Sequence, residues 1–191
     1  MFVNTKFNDR REAAESVQPD LGEIGFESRP RLRPRDLPRP EILGDISDLS
    51  GYVAADYWER EDAYLIHPPR LKAVCAVCRG VPLSGVVHVA AAVQAARTDG
   101  PGIGFSIGVA PNGAVTFTNW GKFVGSVINL APGAWGVAQA SVPVPIPGDS
   151  CDLILVTRIL GRAANDNTWA LFRRFSFTTD LPGRSWNPNV G

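Results

Sequence analysis

Cys75 and Cys78 are the pair in this 191-residue chain whose spacing fits metal or redox chemistry. A Cys-x-x-Cys pair can bite one zinc ion, but a closed structural site needs four ligands. The further donors are Cys151, His67 and His88, and on a strand residues three apart point to opposite faces. A redox pair would open a helix after a strand, which Cys78-Arg-Gly-Val-Pro82 does not resemble. Three cysteines also leave one over from any disulfide framework. All three therefore read as buried, reduced side chains, with no metal and no cofactor. His67 precedes Pro68-Pro69, His88 lies among small residues, and no serine sits in a Gly-x-Ser-x-Gly elbow. Gly100-Pro-Gly-Ile-Gly104 matches no phosphate-binding loop and leads into a strand, so it reads as a hairpin turn. Asn165-Asp-Asn167 offers oxygens to calcium without an acidic companion at fixed spacing and reads as a hairpin tip. No catalytic residues are assigned, and the chain is read as non-enzymatic.

Binding chemistry has better material. Trp120 shares parity with Thr116 and Thr118 and stands between Asn119 and Gly121. An indole face stacks on the apolar face of a pyranose while a neighbouring amide bonds its hydroxyls. Trp120, Asn119 and Trp135, the last in a loop after Pro132-Gly133, are therefore candidate glycan contacts; the alternative is a Trp covered by protein. Trp169 reads as core, and Trp186 as an anchor for the tail. Gly104, Ser106, Gly108 and Ala110, with Ala90, Ala92 and Ala96, suggest a sheet face with little side-chain bulk. Such a face admits another subunit or tight packing within the chain.

Arg29, Arg31, Arg33, Arg35 and Arg39 alternate with Pro34, Pro38 and other residues in an N-terminal stretch. Residues 1–45 carry 8 Lys/Arg against 9 Asp/Glu, so contact with nucleic acid is disfavoured. Docking onto protein is the better use, with arginines pairing carboxylates and prolines lowering the ordering cost.

The elements that must hold these groups are mostly strands. High Gly (19) and Pro (16) contents favour turns. Ile103, Phe105, Ile107 and Val109 alternate with small residues in a clean two-residue period. Val115–Thr118 alternates similarly, and Trp169, Leu171, Phe175 and Phe177 share one parity around an Arg173-Arg174 bulge. Cys151–Leu160 is apolar on both parities, as in a central strand covered on both faces. Val86–Arg97 could be a helix on its alanines, but its alternation and its neighbours favour a strand. One short helix is expected over Asn8–Gln18, with a Pro-rich extended stretch after it.

The expected fold is all-β, an antiparallel β-sandwich of jelly-roll type preceded by an extended N-terminal arm. Residues 1–45 form the arm, 46–63 a transition, 64–181 the sandwich and 182–191 a tail. Zero net charge favours neither nucleic acid nor an anionic membrane. The lack of a long apolar run or signal-peptide core suggests a protein made in a cytoplasm.

An extended arm followed by a compact sandwich resembles the accessory virion proteins of tailed bacteriophages: head decoration proteins, head fibres and tail-fibre adaptors. The resemblance is architectural and carries over no residue. It implies a structural virion protein made in a host cytoplasm, often trimeric, with the arm anchored on other subunits and the sandwich outward. The alternatives are a carbohydrate-binding module, in which a glycan is the partner, and a jelly-roll capsid protein.

Overall fold

The computed structural model describes residues 31–44, 53–70, 72–161 and 166–179. Arg29, the expected helix over Asn8–Gln18, Asn165 and the tail with Trp186 lie outside them.

Among the described residues, eleven strands form two antiparallel sheets. They are β1 (Arg31–Leu32), β2 (Glu41–Ile42), β3 (Ala54–Trp58), β4 (Ala63–His67), β5 (Val74–Val81) and β6 (Val86–Ala95). Then come β7 (Ile103–Pro111), β8 (Ile128–Leu130), β9 (Trp135–Ser141), β10 (Cys151–Ile159) and β11 (Ala170–Thr179). One sheet runs β3-β4-β11-β6-β9, with β1 also on β11, and the other runs β2-β5-β10-β7-β8. Strands β4 to β11 thus form two interleaved four-stranded sheets, β4-β11-β6-β9 and β5-β10-β7-β8. That connectivity is a jelly roll.

Alternation explains the core. Ile103, Phe105, Ile107 and Val109 of β7 face Val89, Ala91 and Val93 of β6 and Phe172, Phe175 and Phe177 of β11 across one buried cluster. Residues 86–95 form a strand although rich in alanine, because both faces are covered: Ala91 and Ala92 are alike buried. Tertiary pairing outweighs a weak helix preference. Strand β10 is central and buried on both parities, with Leu153 and Leu155 inward and Ile154 and Val156 in a second cluster outside the sheet.

Two sequence expectations change. Val115–Thr118 is not a strand: Asn119 Oδ1 accepts from Thr116 N at 2.7 Å and Asn119 Nδ2 donates to Ala114 O at 3.0 Å, which closes a turn. The Arg173-Arg174 bulge is present, with Arg174 at φ +43° and a register shift against β6. It reverses parity, so Phe172, Phe175 and Phe177 point inward while Trp169 and Leu171 point out. Trp169 is half-buried on the surface, not in the core.

The described part of the arm belongs to the sandwich. β1 pairs with β11 in one sheet and β2 with β5 in the other, so residues 31–44 cross from sheet to sheet. Between them Pro34 opens a 3-10 turn, where its missing N–H and fixed φ cost nothing. Leu37 enters the core at 8% exposure, worth about 1.5–3 kcal/mol. The Tyr64 hydroxyl, 2.7 Å from Pro38 O and 3.0 Å from Pro34 O, donates its proton to these arm carbonyls. Arg35 makes a two-point contact with Asp62 Oδ2 at 3.1 and 2.7 Å, and Arg33 binds Asp36 at 3.2 Å. Arg39 reaches Asp56 at 3.5 Å between exposed side chains, a contact worth little. Arg31 is exposed at the rung opposite Ser176. Arg31, Arg33, Pro34, Arg35, Pro38 and Arg39 were expected to grip a partner protein; in the structure Arg35 holds this chain's Asp62, and Pro34 and Pro38 accept from its Tyr64. Where these residues bind, they bind their own chain, since an apolar anchor, a buried hydroxyl and two carboxylates await them there. The sheets accordingly begin well before residue 64.

Candidate functional site

Residues 115–127 leave β7 and fold back over the outer face of its sheet. Val115 anchors the segment at 2% exposure, and Val124 bridges to Gly108. Gly125 N donates to Ile107 O at 2.9 Å, and Ser106 Oγ donates to Gly125 O at 2.7 Å. Gly108 makes this approach possible: a Cβ there would fall on the Phe123 carbonyl. The low-bulk face of Ser106, Gly108 and Ala110 is thus covered by the chain itself. Of the two uses the sequence offered for this face, a subunit contact or packing within the chain, the returning segment makes the second at Gly108, where it fills the space that the missing side chain leaves.

The covering segment stops short of Gly104. There it leaves a small apolar slot of about 140 Å³, lined by Gly104 and Ser106 of β7 and by Trp120, Val124 and Val127 of the segment. Ala73, Phe105, Val156 and Arg158 complete it. Trp120 lies on a 3-10 turn, Trp120–Lys122, and packs half-buried against the second cluster. The turn is held from behind, since Thr116 O accepts from Trp120 N at 3.2 Å and Asn119 clamps residues 114 and 116. Asn119 therefore positions Trp120, and its amide is engaged in the turn.

Beside the slot, and sharing Ala73 and Arg158 with it, lies an open cavity of about 540 Å³ walled by Arg70, Lys72 and Leu160. Arg158 can lie flat there because its sheet neighbour is Gly104: a Cβ on Gly104 would stand 3.0 Å from Arg158 Cγ. Sequence reasoning missed Arg70, Lys72 and Arg158, which are far apart along the chain and fit no motif.

Trp135 is not brought to Trp120. It is the first residue of β9 rather than part of a loop, on the outer face of the opposite sheet. The Arg173 guanidinium stacks on its ring at 5.2 Å and donates to Glu61 O at 2.6 Å and Glu61 Oε2 at 2.8 Å. On the same face Trp58 meets Trp169 edge-on at 5.2 Å, with Arg97 over Trp169 at 5.2 Å. These indoles roof Ala63, Ala92 and Leu171, which are buried despite pointing away from the core.

The cysteines behave as their spacing predicts. Cys78 faces the main core and Cys75 the outer cluster. Burial pushes the thiols of Cys75, Cys78 and Cys151 up to about 12, so none is a ready nucleophile or ligand. Buried Thr168 Oγ1 lies within hydrogen-bond distance of the His67 ring nitrogens, at 3.3 and 3.4 Å. Among the described residues no three His, Cys, Asp or Glu side chains gather as a metal site, and no helix is long and apolar enough to cross a membrane.

A protein-family profile matches residues 11–158, more than half of the chain. The chain belongs to a family of unknown function, DUF6212. No curated protein matches it. Among solved structures it is similar to the carbohydrate-binding module CsCBM6-3 from Clostridium stercorarium in complex with cellobiose. That match has 10% identity and a TM-score of 0.41, over 79% of this chain and 94% of that one. It is also similar to the low-affinity xylan-binding module CBM86 from Roseburia intestinalis, with 11% identity and a TM-score of 0.44, over 80% and 96%. A third is the C-terminal CBM6 of LamC from Zobellia galactanivorans, with 11% identity and a TM-score of 0.41, over 79% and 100%.

The bacteriophage resemblance is corrected by these findings. All three of these similar structures are carbohydrate-binding modules, and the described arm, on which the virion layout depended, is part of this chain's own two sheets. The structural virion role and the virion location go with it.

Proposed function

We propose that the chain is a non-catalytic carbohydrate-binding β-sandwich module that seats a sugar ring against Trp120. The observation that carries this reading is the Trp120 slot, an apolar recess of about 140 Å³ beside Trp120, Val124 and Val127 of the 115–127 segment. An apolar slot of about 140 Å³ suits one pyranose ring, with the CH face on the indole and the hydroxyls towards solvent. The reading rests on the slot, not on the likeness to solved structures. Trp135 is a weaker platform, because Arg173 already stacks on it.

The test is binding of the purified protein to a broad panel of soluble and insoluble polysaccharides, by titration calorimetry and pull-down. Trp120→Ala is expected to weaken binding at least 10-fold, about 1.4 kcal/mol. Val127→Asp, at a side chain 46% exposed on the slot, is expected to do the same without touching the core. Binding to no polysaccharide, or unchanged binding in both variants, would sink the reading.

A further inference from the structure

The cavity beside the Trp120 slot carries charge of one sign. Arg70, Lys72 and Arg158 all line it, and all are exposed. Several described arginines elsewhere are matched: Arg35 with Asp62, Arg79 with Glu41 and Asp152, Arg97 with Asp99, and Arg173 with Glu61. Arg70, Lys72 and Arg158 make no hydrogen bond or ion pair among the described residues. In a chain of zero formal net charge, three cations left together are the exception.

We propose that this cavity binds the anionic group of an acidic polysaccharide whose neighbouring ring sits on Trp120. The inference rests on the glycan reading above and names the class of glycan. The two spaces share Ala73 and Arg158, so a chain leaving the apolar slot enters the basic cavity directly. Guanidinium groups match a carboxylate or sulfate through paired N–H donors, and an ammonium adds a point charge. The slot takes the uncharged ring face and the cavity the charge. Nucleic acid fits less well, because single strands use a basic groove that follows successive phosphates, whereas these cations are confined to one end of one sheet.

The experiment compares a uronic-acid polysaccharide with its carboxyl-reduced, neutral counterpart, on the full chain and in low salt. The acidic form is expected to bind at least 10-fold more tightly, with an advantage that shrinks as salt rises. In the double variant Arg70→Gln, Lys72→Gln the ratio of acidic to neutral affinity is expected to fall towards one. Equal affinity for the two forms in the wild-type protein overturns this inference and leaves the Trp120 reading standing. Binding of neither form overturns the reading beneath it. An acidic preference that survives the double variant overturns the assignment to this cavity. Tighter binding to single-stranded RNA than to the acidic polysaccharide overturns the choice of ligand class.

Discussion

Trp120 and Cys78 show how little a residue's type says before its surroundings are known. Trp120 is presented by a turn that the Asn119 amide clamps at residues 114 and 116. Asn119→Ala should therefore weaken glycan binding through misplacement, with a smaller loss than Trp120→Ala, read by calorimetry against near-UV circular dichroism of the indoles. The cysteines run the opposite way. With burial pushing each thiol up to about 12, a thiol-reactive disulfide reagent at pH 8 should label none of the three in the native protein and all three after denaturation. Rapid stoichiometric labelling of the native state would contradict the burial.

Asp62 sets a pH dependence at the same scale. Its hydrogen bond from Arg35 holds its carboxyl below the usual carboxylate range. Its contribution is therefore present above the unfolded value of about 3.9 and is lost as pH falls through the lower folded value. Asp62 has φ +44°, a region that asparagine also tolerates, so Asp62→Asn keeps the backbone. The stability gap between wild type and Asp62→Asn, from urea titrations, should be full at pH 7 and shrink below about pH 4. A gap that does not change with pH would refute the linkage.

At the scale of elements, the covering segment depends on one glycine. Gly108→Ala puts a methyl group on the Phe123 carbonyl, and backbone cannot rotate away as a side chain would. The variant should lose about 1–3 kcal/mol and should become protease-sensitive between residues 115 and 127. A wild-type digestion pattern would show that the segment has another way to sit. Two-residue alternation made β7 and β10 legible, because burial on one or both faces is written directly in side-chain type. The Val115–Thr118 stretch alternates too and still turns, since an asparagine amide three residues away competed for the backbone. Likewise the parity of β11 could not be read through Arg173-Arg174, because a bulge moves every later side chain to the other face. The basic cavity was illegible for a different reason: Arg70, Lys72 and Arg158 meet only through sheet topology.

At the scale of the whole molecule, residues 31–44 stitch the two sheets along one side. Leu37→Ala should cost about 2–3 kcal/mol in urea denaturation, with one cooperative transition retained. The described part of the arm should resist proteolysis in the isolated monomer. Cleavage there under native conditions would mean that the arm lies elsewhere in solution. Composition favoured protein over nucleic acid as what residues 31–44 dock on, and a partner was the expectation. It could not say whose, because arginines and prolines carry the same pairing chemistry towards a partner as towards the chain's own Asp62 and Tyr64.

The pairing of β1 with β11 also bears on the order of events during synthesis. Arg31 and Leu32 leave the ribosome long before the residues opposite them, Ser176 and Phe175, are made. Closing so long a loop is slow and waits for the partner to exist. The first described strand is therefore expected to dock late. Until then β11 has an open edge where β1 belongs, which is when a nascent chain is most exposed to mispairing with another copy.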